Sequence, residues 1–135
     1  MSEQSNTSDE VTLQALKAYF AGLSALDAEM IAAVFTEDGE LEDPVGSTVR
    51  KGRAEIAKYF SKGLCSVSRH LDITPLAIHP TGGSIAVQWH MTVESLSGAH
   101  AAADGIDILT VTGDGLISRV EGYWNQRAFL RAFAG

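Results

Sequence analysis

Ser84-Ile85-Ala86-Val87-Gln88-Trp89-His90-Met91-Thr92-Val93-Glu94-Ser95 is the stretch on which the fold turns. Ile85, Val87, Trp89, Met91 and Val93 fall on one face, and Gln88, His90, Thr92 and Glu94 on the other. Alternation with a period of two is what a half-buried β-strand shows. Downstream, Ser97-Gly98 turns the chain and Ala101 to Thr112 reads as the next strand. Gly113-Asp114-Gly115 is a tight hairpin turn, and Leu116 to Asn125 a further strand. Upstream, Thr81-Gly82-Gly83 is a turn, and Val67 through Ile78 is another candidate strand.

Before residue 66 the periodicity is helical. Leu13, Leu16, Phe20 and Leu23 recur at helix spacing, with Tyr19 on that stripe or at its edge, and the helix should run to about Leu23. Thr7-Ser8-Asp9-Glu10 has the pattern of a capping box. Asp27 offers a second N-cap for a short helix through Met30, Ile31, Val34 and Phe35, ending near Asp38-Gly39. Glu40 to Asp43 reads as a short strand stopped by Pro44, and Gly52 opens a third helix with Ile56, Tyr59 and Phe60. Helices first and strands afterwards predict an α+β domain over residues 8–135, its helices packed on one face of a curved antiparallel sheet. Residues 1–7 read as a disordered lead, and the tail from Gln126 to Gly135 as partly helical.

The chain has 135 residues, 45% hydrophobic and 20% charged, which suits one globular domain with a real core. Its net charge is −7, and no Lys/Arg cluster stands out in the sequence, so neither nucleic acid nor an anionic membrane is expected as a partner. Cys65 is the only cysteine, which excludes a disulfide framework. His70, His79, His90 and His100 show no paired ligand spacing, so no metal is expected. The polar N-terminus lacks an apolar signal core, and the expected location is the cytoplasm.

Two carboxylates and a phenol are the candidates for chemistry. Asp107 shares a strand face with Ala103, Gly105, Leu109 and Val111, all apolar or glycine, so its carboxyl should point at a core or pocket. Desolvation there would favour the neutral acid, which can donate a hydrogen bond. The alternative register would turn Asp104 and Ile106 inward instead. Asp43 stands at a strand end before Pro44, a place where catalytic groups and ordinary turn residues both occur. Tyr19, if buried, needs a partner for its hydroxyl.

Glu42-Asp43-Pro44-Val45-Gly46, then Gly52 with Ile56 and Tyr59-Phe60, resembles the bacterial Δ5-3-ketosteroid isomerases of the nuclear-transport-factor-like, or polyketide-cyclase-like, superfamily. So do Asp104-Gly105-Ile106-Asp107-Ile108, the Gly113-Asp114-Gly115 hairpin and Gly122-Tyr123-Trp124. The resemblance runs from about residue 10 to residue 126. It implies a cone-shaped sheet with three N-terminal helices over its concave face, a deep apolar pocket and a homodimer. It places the shuttle base on Asp43 and the oxyanion-hole donors on Tyr19 and Asp107. It also implies a small apolar ketone, a steroid, as substrate, with Phe35, Val45, Phe60, Trp89, Met91, Leu109 and Trp124 lining the pocket. No cofactor is implied.

The chain departs from that pattern where some members carry extra tyrosines behind the catalytic one: here stand Phe35 and Phe60, with Tyr59 next door. The segment from Ser95 to Ala103 matches poorly. Three other readings share the superfamily's cone: a polyketide-cyclase-like enzyme acting on another enolisable carbonyl, an epoxide hydrolase, and a non-catalytic carrier of apolar ligands. The hydrolase arrangement resembles Asp-Arg-Asp, and Gly105 stands at its arginine position.

Overall fold

A computed structural model describes residues 8–134; the expected lead, residues 1–7, lies outside the described residues. Helix α1 covers Asp9–Ala25. Its N-cap is Ser8, whose hydroxyl accepts from Val11 N, while Thr7 of the expected capping box lies outside the described residues. Leu16, Tyr19, Phe20 and Leu23 are buried on one side of α1, as the spacing demands. Asp27 caps α2, Ala28–Ala33, by accepting from Met30 N. Gly22 lets the two helices meet, since a Cβ there would fall 2.9 Å from Ile31 Cγ1.

The second helix is shorter than its apolar spacing suggests, and Phe35 is not in it. Strand β1, Phe35–Glu42, begins there. The reason is pairing: Ile117 N donates to Val34 O at 2.8 Å, and Phe35 lies opposite Ile117 with both side chains fully buried. A backbone that can complete a sheet ladder and bury an aromatic side chain at once outweighs local helical periodicity.

After β2, Arg50–Lys51, come α3, Arg53–Lys62, and a single turn, α4, Leu64–Val67. Four long strands follow: β3, Ser68–Thr81; β4, Ser84–Ser95; β5, His100–Val111; and β6, Ile117–Trp124. They form an antiparallel meander, and the six-stranded sheet runs β2-β1-β6-β5-β4-β3. β1 joins β6 in parallel, because the chain passes through the hairpins and returns beside its own start. The fold is α+β, with a curved sheet and helices packed on it. The tail forms a full helix, α5, Gln126–Ala134, which packs against β5.

Candidate active site

Alternation along β5 turns Asp107 inward, where it is 6% exposed among apolar neighbours. Asp43 follows the last residue of β1, and its chain is held at two points. The Tyr59 hydroxyl donates to the Asp43 carbonyl at 2.7 Å, and Val45 N donates to Gly122 O at 2.7 Å. Parallel pairing of β1 with β6 and antiparallel pairing of β6 with β5 bring Asp43 and Asp107 to either side of Gly122. A Cβ at Gly122 would lie 2.5 Å from Asp43 Oδ1 and 3.1 Å from Asp107 Oδ1. The missing side chain is the space that the two carboxyls occupy.

Each carboxyl accepts one indole N–H. Trp124 Nε1 donates to Asp43 Oδ1 at 2.6 Å, and Trp89 Nε1 to Asp107 Oδ1 at 3.0 Å. The indoles pack edge to face, 5.9 Å between ring centroids. They crowd position 105, where a Cβ would approach Tyr123 O to 2.7 Å and Trp124 Cβ to 2.8 Å, so the Asp-Arg-Asp arrangement has no room here.

Electrostatics separates the two acids. Burial raises Asp43 to about 6, against the opposing pull of the Trp124 N–H. Asp107 is raised well above the ordinary carboxylate range, first by burial and then by the charge of Asp43, with the Trp89 N–H acting the other way. Two coupled carboxyls sharing one site do not both ionise easily. Of the two, Asp107 is the harder to ionise, because the charge of Asp43 adds to its burial.

Tyr19 reaches the same place from α1. It is buried, and burial, then the charges of Asp107 and Asp43, raise its hydroxyl well above the usual phenol range, so it stays a donor. Phe35 meets its ring edge-on at 5.8 Å. Tyr59 does not back it up: its hydroxyl bonds the Asp43 carbonyl and accepts from Gln126 Nε2 at 3.5 Å.

A cavity of about 280 Å³ opens beside Asp43. Phe60 and Trp124 line it as expected from the resemblance, together with Tyr59, Leu64, Phe129 and Phe133. Of the other expected lining residues, Phe35, Trp89, Met91 and Leu109 are buried in the core and do not reach this cavity, and Val45 is 38% exposed outside it. Phe129 and Phe133 escaped the sequence reading. Their i, i+4 spacing in the tail was the available signal, and they stack 5.3 Å apart on α5. Among the described residues no group of three His, Cys, Asp or Glu could hold a metal ion, and no helix is long and apolar enough to cross a membrane.

The sequence profile of the SnoaL-like domain family matches residues 16–120. A steroid Δ-isomerase from Nocardioides simplex is 28% identical over 111 residues, covering 82% of this chain and 86% of that protein. Two solved structures share 25% of their sequence with the chain. SalBIII, an epoxide hydrolase/cyclase-like enzyme of pyran ring formation in salinomycin, aligns with a TM-score of 0.76 over 87% of this chain and 93% of its own. RV0760c from Mycobacterium tuberculosis aligns with a TM-score of 0.77 over 90% and 96%. The same protein was also solved with estradiol-17β-hemisuccinate, with a TM-score of 0.75 over 87% and 95%.

Proposed function

The chain belongs to the SnoaL-like domain family, and on that footing we propose that it is a steroid Δ-isomerase, moving the double bond of a 3-oxo-Δ5-steroid to Δ4. The observation that carries the reading is the pair of carboxyls around Gly122, both raised by burial and Asp107 also by the charge of Asp43, beside an apolar cavity. Asp43 removes a proton from C4, and the electrons move onto the C3 oxygen as a dienolate. Tyr19 and neutral Asp107 donate to that oxygen, where preorganised donors in a dry site act most strongly. Asp43 then returns the proton to C6, so no atom is gained or lost. A base near 6 is stronger than an ordinary Asp yet still ionised at neutral pH. Likeness to the Nocardioides steroid Δ-isomerase supports the substrate class.

The test is absorbance of the conjugated enone as androst-5-ene-3,17-dione is added. Wild type should isomerise it, and Asp43→Asn should lose about 10²–10⁴-fold in rate, the span of general base catalysis. A wild type without activity would sink the substrate assignment, and an unimpaired variant the role of Asp43.

A second reading is favoured by the likeness to SalBIII. The same pair can serve ring closure: Asp107 gives its proton to an epoxide oxygen while Asp43 takes one from an attacking hydroxyl. Turnover of a hydroxy-epoxide but not of the Δ5-ketone would select it. Both readings include a homodimer formed through the outer face of the sheet, where Ile106 and Tyr123 are paired neighbours, each 46% exposed.

A further inference from the structure

The chain carries net charge −7, yet five of its ten Lys and Arg residues gather around one opening. Lys62 lines the cavity beside Asp43 itself. Arg127 and Arg131 stand on the outer side of α5, over the open cleft that shares Trp124, Gln126 and Leu130 with that cavity. Arg50 and Lys58 flank the opposite shoulder, which shares Tyr59, Lys62 and Gly63 with it.

Of the five cations elsewhere, Lys51, Arg69 and Arg119 are in ion pairs and, among the described residues, Lys17 and Arg53 are not. Arg119 meets Glu40, Glu42 and Glu121, Arg69 meets Glu94, and Lys51 meets Glu40. Among the described residues Lys58, Lys62, Arg127 and Arg131 make no ion pair, although the Glu55 carboxylate lies on the Lys58 shoulder. Arg50 lies over the Tyr59 ring, 5.0 Å from its centroid. α5 thus presents Phe129 and Phe133 to the cavity and Arg127 and Arg131, also four residues apart, to the cleft.

Size gives the cations a use. The cavity of about 280 Å³ lies at the lower end of the roughly 300–1,000 Å³ of ordinary ligand pockets. Tyr19 and Asp107 do not line the cavity, and a polycyclic ketone held with its reacting end at Asp43 fills it and brings its far end out to the rim. We propose that the substrate is an amphiphile: an apolar ring system with the ketone at one end and an anionic group, such as a carboxylate, at the other, held by Lys62, Arg127 and Arg131. The inference rests on the ketone-binding reading of the pocket.

Two probes separate charge from bulk: testosterone 17β-hemisuccinate and its neutral methyl ester, each titrated against tryptophan fluorescence. At about 0.01 M salt, where the screening length is roughly 30 Å, the hemisuccinate should bind about fivefold to tenfold tighter than the ester. That ratio should fall toward one at about 1 M salt, where the screening length is roughly 3 Å. It should also collapse in the triple variant Lys62→Gln, Arg127→Gln, Arg131→Gln, and the salt series on wild type stands whether or not that variant folds. Equal affinity for both probes at low salt overturns the inference alone. A ratio that persists in the folded triple variant assigns the preference elsewhere and overturns it too. If neither probe binds wild type, the ketone pocket fails and the inference with it.

Discussion

Gly122 is the residue on which the site's geometry depends most narrowly. A strand glycine has no conformational need here; its use is the room it leaves for two carboxyl oxygens at 2.5 and 3.1 Å from where a Cβ would stand. Gly122→Ala should push Asp43 and Asp107 apart and lower isomerase kcat by at least about 10²-fold, the scale of losing one preorganised donor; steady-state rates on folded protein check this. Asp43 also links the site to stability. Its folded value, about 6, exceeds the ordinary carboxylate value, so the native state binds the extra proton more readily than the unfolded chain. The resulting stabilisation is fully present below about 4 and is lost as pH rises through about 6. Asp43→Asn, which keeps an acceptor for Trp124, should therefore be more stable than wild type at pH 8 by about 1–3 kcal/mol, with the gap closing toward pH 4. Denaturant midpoints across that range measure it, and a gap independent of pH would contradict the raised value.

At the scale of elements, α5 decides whether there is a closed pocket at all. Phe129 is buried against Trp124 at 5.5 Å and stacks on Phe133, so the helix walls one side of the cavity with two aromatic rings. Phe129→Ala should cost about 3–5 kcal/mol by cavity formation and raise KM more than it lowers kcat, since the carboxyl pair is untouched. Thermal melts and steady-state kinetics separate the two effects. The tail reads as only partly helical in the sequence, although Phe129 and Phe133 stand at helical spacing. Phe129 and Phe133 need one stripe of partners, and those partners, Trp124 and the cavity wall, come from elsewhere in the chain.

At the scale of the whole molecule, the sheet has one face under α1 and another that is open. Ile106 and Tyr123 stand together on the open face among Asp104, Thr110 and Glu121, a mixed surface suited to a second copy of the chain. Ile106→Glu should move the protein from dimer toward monomer in sedimentation velocity, and a wild type that sediments as a monomer at high concentration would remove the homodimer from the proposal. A charge buried there without a partner is costly to an interface and harmless to a solvated monomer.

Alternation in residues 84–95 and 101–112 was enough to predict the strands and to turn Asp107 inward, because side-chain direction in a strand depends only on parity. Helical spacing put Tyr19 on a buried stripe for the same local reason. Other features depend on residues far apart in the chain. Phe35 left its helix for a strand because Ile117 was there to pair with it. Tyr59 turned to the Asp43 carbonyl, and Trp89 and Trp124 to one carboxyl each, through contacts between separate elements. The meeting of Asp43 with Asp107 needed a parallel β1–β6 pair, a long-range closure that no local pattern encodes. The sequence by itself determined which residue types could do the chemistry and which face of its strand or helix Asp107 and Tyr19 favoured. Only the tertiary structure decided that the two carboxyls meet at Gly122 and that burial there raises both, Asp107 further through the charge of Asp43, since desolvation and like-charge repulsion arise only when distant strands share one dry space.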